Sequence, residues 1–362
     1  MKKALTLSLL ATLAFGFSFD LSYQNAPISP TLSLGAPLQT LTLKLENDNP
    51  ITGADYEPES GKWTLSSRYN ELYITDDKFI NYEYLKHDRH FIMEMEDSVG
   101  ASWVKTASSN QSEAAMISYN KTFVSYEYAP NLSPDEQNEQ WKHLLSGYDK
   151  FKLSDMANKG RFSTIRAKQQ YILGWDYEPK SNKFIIASVP DNLKPSWSIA
   201  EFDGDDKLPL AEYIPALSQG LSLKDGKGIN SYYITGIDAS KDAIYLLSKN
   251  YSSVLVLNPD THKIDAAYGF SGVANPQAIA LKDEKIYIFS REGDENRVFV
   301  FAAPKLEPKK PDCPVVSVEV VQTEPVLDEP AKPATSEPAL DKLDEPAPTK
   351  DQILSIPQKA VE

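Results

Sequence analysis

Residues 233–259, YITGIDASKDAIYLLSKNYSSVLVLNP, hold three runs rich in β-branched and aromatic residues, at 233–237, 243–247 and 254–257, separated by Asp, Ser, Lys and Asn. Runs of about five such residues, punctuated by turn formers, make an antiparallel meander and not a set of helices. The pattern recurs. In residues 51–76, ITGADYEPESGKWTLSSRYNELYITD, the positions Gly53, Asp55, Leu65, Ser66 and Tyr69 align with Gly236, Asp238, Leu247, Ser248 and Tyr251. A third copy starts at Tyr171 with YILGWDYEPKSNKFIIAS, and a fourth spans 276–302. A weaker fifth lies at 113–128, EAAMISYNKTFVSYEY.

One unit of short antiparallel strands repeated along a chain specifies an all-β array, a β-propeller, and not a helical solenoid. Gly236 and Ala278 are 42 residues apart, within the spacing of about 40–50 for a four-stranded blade, whereas Gly53 to Gly174 is 121 and Gly174 to Gly236 is 62. Residues 79–105 read either as outer strands or as an entire divergent blade. There is room for five to seven blades, and six is the expected number. The last copy supplies only three strands before the chain turns Pro-rich. Residues 38–45, LQTLTLKL, alternate apolar and polar without a nearby hairpin partner, so they are expected to close the ring by pairing with that copy.

Four regions follow: 1–18, 19–37, 38–303 and 304–362. The first, MKKALTLSLLATLAFGFS, has the basic start and short apolar run of a secretory signal, which makes the expected address periplasmic. Residues 19–37 read as a loose extension, and 38–303 as the propeller. Residues 304–362 carry 11 of the 25 prolines and an excess of acids, the composition of a disordered tail. No later run approaches the roughly 20 apolar residues of a membrane span. The net charge of −14 disfavours nucleic acid as a partner. Cys313 is the only cysteine, so no intramolecular disulfide or CxxC redox centre can form.

Two sets of side chains stand out. Asp55, Asp176 and Asp238 share a Gly-x-Asp position in three copies. They read either as oxygen ligands for a hard cation, calcium being the ion such a site would take, or as turn caps. No other cofactor is indicated. Arg68, Lys249 and Arg291 follow Ser66, Ser248 and Ser290 at the end of second strands, where their charges would gather at one mouth of the channel and hold a small anionic ligand or an acidic segment of an envelope protein. His87 and His90 in KHDRH would fall on opposite faces of a strand with no third ligand in view. There is no G-x-S-x-G elbow. Trp63 and Trp175 read as packing residues.

The run ITGIDASKDAIYLLSKNYSSVLVLNPDTHKI, followed by PQAIALKDEKIYIFSRE, resembles the SdiA-regulated family of exported β-propellers and, more loosely, the NHL and SMP-30-like six-bladed group. It is also similar to the periplasmic propeller of DsbI-type disulfide-bond formation proteins, although the cysteine pair and membrane helices of that pattern are missing here. The resemblance implies an exported propeller. The expected function is a monomeric, non-catalytic periplasmic scaffold that binds a protein or small ligand at one mouth, with the tail as tether. The alternatives are a calcium-dependent hydrolase of the lactonase type and an accessory of periplasmic disulfide-bond formation.

Overall fold

The structure, a computed structural model, describes residues 22–85, 97–109, 111–118, 123–128, 169–190, 197–224 and 226–306. Residues 1–18, read above as a secretory signal, together with His87, His90, Cys313 and the Pro-rich stretch beyond residue 306, lie outside them.

Among the described residues, five antiparallel sheets form five blades. Blade one consists of Ile51–Glu57, Lys62–Ser67, Leu72–Thr75 and Tyr82–Leu85, and blade two of Ser98–Val104, Glu113–Ser118 and Phe123–Glu127. Blade three has Gln169–Glu178, Lys183–Pro190, Ser198–Asp203 and Pro209–Tyr213. Blade four has Gly236–Ala239, Ile244–Ser248, Ser253–Asn258 and Lys263–Gly269. Blade five has Pro276–Lys282, Lys285–Glu292 and Glu295–Ala302, completed by Gln39–Leu43. The first strands touch in succession from blade one to blade five, and the first strand of blade five returns to that of blade one. The protein is an all-β propeller closed into a ring.

Five blades are one fewer than the expected six, for two reasons visible in the strand pairing. Residues 79–105 are shared out: Tyr82–Leu85 is the outer strand of blade one, and Ser98–Val104 is the inner strand of blade two. The repeat at 113–128 therefore begins on the second strand of its blade. The 62-residue interval before Gly236 holds a long connection, with short strands at Ala216–Leu217 and Ser222–Leu223 and a 3-10 turn at Ile229–Ser231.

The closing strand behaves as its alternation requires. Gln39–Leu43 runs antiparallel to residues 296–300, with Leu41 opposite Val298 and Leu43 opposite Asn296. The segment before it is not loose. Ile28–Ser29 pairs with Ser222–Leu223, and Leu32–Ser33 runs parallel to the outer strand of blade four at Tyr268 and Gly269. Ala26 and Ile28 are fully buried. This strap and Ala216–Leu217 cover an edge that would otherwise present unpaired amides and carbonyls.

The core lies between blades. Trp175 of blade three packs against Phe123 of blade two at 5.4 Å, and Trp63 of blade one against Tyr287 of blade five at 4.8 Å. Both tryptophans thus have the packing role that their place in the repeats predicts. Gly53 shows how closely the first strands approach: a Cβ there would overlap the backbone of Gly100 and Ala101 in blade two. Removing residues 38–45 should expose the third strand of blade five as an open edge. The expected outcome is aggregation on size-exclusion chromatography and loss of a cooperative calorimetric transition; a truncated chain that melts like the parent would contradict the closure.

Candidate functional site

The Gly-x-Asp aspartates sit on first strands, and each reaches across a blade boundary. Asp55 Oδ2 accepts the Trp103 amide of blade two at 2.7 Å and the Ser102 hydroxyl at 3.0 Å. Ser102 Oγ in turn accepts the Tyr177 amide of blade three at 3.2 Å. Asp176 Oδ2 accepts the Ala239 amide of blade four at 2.6 Å, and Asp238 Oδ2 accepts the Leu281 amide of blade five at 2.8 Å. The register makes the logic uniform. Asp55, Ser102, Asp176, Asp238 and Ala280 occupy one position in the five blades, and each amide bonded belongs to the residue just after that position in the next blade. Only Ala280 has no oxygen to offer, and the Tyr56 amide that it would serve is taken by Asp55 Oδ1 at 2.6 Å.

Turn capping, the bland reading of these aspartates, falls instead to neighbouring residues. Glu178 accepts the Lys180 and Ser181 amides at 3.0 and 2.6 Å, and Ser240 bonds Ala243 in the equivalent turn of blade four. Where the carboxylate clamp lapses, between blades five and one, Lys282 lies 3.9 Å from the Tyr56 ring centroid and is paired with Asp77. Asn296 adds bonds to the Ile51 amide and the Asn49 carbonyl.

Burial raises the acids of this ring. The Asp55 carboxyl is pushed up to about 6 and Asp238 to about 7, the latter by burial first and then by the charge of Asp55. Asp176 is raised well above the ordinary range by burial, with the Asp55 and Asp238 charges adding to it. The carboxyls can therefore hold protons near neutrality while they tie blades together. Among the described residues, no group of three or more His, Cys, Asp or Glu side chains is arranged to hold a metal ion.

The register also orders the basic residues. One equivalent position near the end of the second strand is Ser67, Ser118, Ser188, Ser248 and Ser290 in the five blades, all buried. The counterpart of Ser248 and Ser290 in blade one is thus Ser67; Ser66 lies one position earlier, where its hydroxyl accepts a bond from Ser98 at 3.0 Å. Arg68, Lys249 and Arg291 each follow the ring serine directly and belong to blades one, four and five, which are consecutive around the ring. Arg68 is paired with Asp97 at 2.6 Å. Lys249 is exposed. Arg291 lies within a strand with 14 % of its side chain exposed. Lys227, which the repeats could not reveal because it belongs to the long connection, places its ammonium 5.5 Å from the Tyr251 ring in the same hairpin as Lys249.

Neither a family model nor a curated protein matches the chain. Among solved structures it is similar to the glutaminyl cyclase of Myxococcus xanthus, at 9% identity and a TM-score of 0.41, covering 74% of this chain and 97% of that one. It is similar to the PQQ-bound aldose sugar dehydrogenase of Streptomyces coelicolor, at 11% identity and 0.43, with the same coverage. The Cps50 (Swd1) β-propeller domain of Myceliophteria thermophila matches at 7% identity and 0.36, covering 74% of this chain and all of that domain. The propeller architecture and the blade assignment rest on the strand pairing.

Asp238 binds a proton more tightly in the folded protein than in the unfolded chain, so protonation favours folding. That contribution is complete below the ordinary value of 3.8 and is lost as pH rises through about 7. Between those limits the melting temperature should contain a falling component. Asp238→Asn, which retains an oxygen for the Leu281 amide and cannot ionise, should flatten it. Identical calorimetric pH profiles for parent and variant would assign the titration elsewhere.

Proposed function

We propose that this protein is an exported, monomeric propeller that works by binding, not by catalysis, and that its binding surface is the face carrying Lys249, Arg291, Lys227 and Arg68. The observation that carries the reading is positional. On a chain of net charge −14, three basic residues recur immediately after the ring serine of three consecutive blades; Arg68 is offset by Asp97, and the fields of Lys249 and Arg291 add on one side of the molecule. The partner is a small anionic ligand or an acidic segment of an envelope protein. The propeller architecture supports a scaffold without naming chemistry, since fold alone does not specify activity. The aspartates do not favour the hydrolase alternative, because Asp55, Asp176 and Asp238 already commit oxygens to backbone amides of neighbouring blades. The secretory character of residues 1–18 and the resemblance to exported propellers support a periplasmic address.

The test uses the full chain and a fluorescent oligoglutamate peptide. Anisotropy should report binding that weakens as salt rises to physiological strength, where screening acts over about 8 Å. Lys249→Glu should lower the affinity roughly tenfold, a loss of about 1.4 kcal/mol. Its melting temperature should barely move, since an exposed substitution shifts stability by less than about 0.5 kcal/mol. Affinity indifferent to both salt and Lys249→Glu would remove this face as the binding surface.

A further inference from the structure

The ring repeats one geometry at each blade boundary, and the boundaries differ in what they place opposite the basic residue. Ile51, Ser98 and Pro276 each pair with the ring serine of their own blade, so Pro50, Asp97 and Asn275 are equivalent residues, one step ahead of those pairs. The Arg68 and Arg291 amides bond the carbonyls of Pro50 and Asn275, which confirms the equivalence. The face of the second strand that carries the residue after the ring serine is turned to the next blade, as the Ser66 contact with Ser98 shows for blade one. Arg68 of blade one meets Asp97 of blade two. Tyr287 and Phe289, on the same face of the strand as Arg291, pack against Trp63 of blade one. Arg291 is therefore aimed at blade one, where the residue equivalent to Asp97 is Pro50, which has no side-chain acceptor.

The guanidinium reflects that mismatch. Its Nη1 is buried and has no hydrogen-bond partner among the described residues, and its Nη2 is 3.8 Å from Asp294, a fully exposed carboxylate. Such an exposed, distant pair contributes little. Asp294 is the one carboxylate within ion-pair distance of Arg291 among the described residues, and Glu71, Glu292 and Glu295 are committed elsewhere. Glu71 accepts bonds from Asn47, Asn49 and Ser67, while Glu292 and Glu295 pair with Arg297. A mostly buried cation without a counter-charge is costly, and an oxyanion that supplies two acceptor oxygens relieves that cost. The exposed 14 % of the side chain leaves an edge that a solute can reach.

We propose that the boundary between blades five and one is an oxyanion subsite in which Arg291 receives from a ligand the carboxylate or phosphate group that Asp97 supplies to Arg68 within the chain. The subsite deepens the basic-face reading and rests on it. The ligand class is one presenting a terminal carboxylate or phosphate.

The internal symmetry supplies the test. With arginine labelled in the guanidinium nitrogens, the full chain would be titrated by NMR with acetate and with inorganic phosphate at constant ionic strength, Arg291→Lys and Arg68→Lys serving to assign the signals. The Arg291 signal should shift saturably and the Arg68 signal should not. Pro50→Asp places an internal carboxylate where Asp97 stands in the next blade and should weaken the Arg291 response about tenfold or more. Asp97→Asn should make Arg68 respond as well, and this arm stands even if Pro50→Asp fails to fold. A response to acetate marks a carboxylate ligand, and one to phosphate alone a phosphate ester. An Arg291 signal that does not saturate with either anion, or that responds equally in Pro50→Asp, overturns the subsite. If oligoglutamate binding still depends on Lys249 in that event, the subsite alone has failed; if Lys249 proves irrelevant while Arg291 saturates, the wider face has failed.

Discussion

A carboxylate oxygen accepting a backbone amide from the neighbouring blade is the interaction on which this ring depends. Much of the remaining contact between blades is apolar, which has no direction and tolerates sliding. An acceptor fixed on one first strand and a donor fixed on the next define a single register between them, and leaving such a buried donor unsatisfied costs about 1–3 kcal/mol. Asp55, Asp176 and Asp238 each supply one such bond, and Ser102 passes the link from Asp55 on to Tyr177. The burial that this role demands leaves the acids with a raised affinity for protons. The same arrangement explains the glycine two residues before Asp55, because strands tied this closely leave no room for a Cβ at Gly53.

The architecture was legible because its signals are local. Strand runs, turn residues and the alternation of residues 38–45 each reflect the environment of a few neighbours, and repetition multiplies them. Blade number was harder, since Ser98–Val104 carries Gly-Ala-Ser where blades one, three and four carry Gly-x-Asp, and an interval stretched by a long connection looks the same as one that hides a blade. Ser102 holds the clue: a hydroxyl can both donate to Asp55 and accept from Tyr177, so it fits the same post.

The site was legible only in part. Recurrence picked out Arg68, Lys249 and Arg291, but sequence cannot say that Arg68 has a partner 29 positions away while the Arg291 Nη1 has none among the described residues. The Asp97 and Pro50 contrast exists only once register makes those residues equivalent. Likewise a one-residue offset in a hairpin, too small to notice in an alignment of weak repeats, decides whether Ser66 or Ser67 belongs to the ring. Asp55 illustrates the limit from the other side. Its type and position suit a metal ligand or a turn cap equally well, and its actual use, a bond to an amide 48 positions away, leaves no trace in local sequence.

The junction between blades five and one differs from the others in being made by the two ends of the propeller segment, with Ala280 where a clamp would be and Lys282 against Tyr56 in its place. The order in which the chain is made gives this a temporal meaning. Gln39–Leu43 emerges before any blade exists, yet its partner, residues 296–300, emerges after all the others. Until residues 296–300 have been made the chain therefore carries one unmatched strand, and long-range pairing of that kind is both slow and prone to association with other chains. The residues Gln39, Thr40 and Thr42 keep that waiting strand partly polar, and they stay exposed in the finished ring as well. That junction is locked by aromatic and cationic contact, Lys282 against Tyr56 and Asp77, and not by a carboxylate bonded to an amide of the next blade.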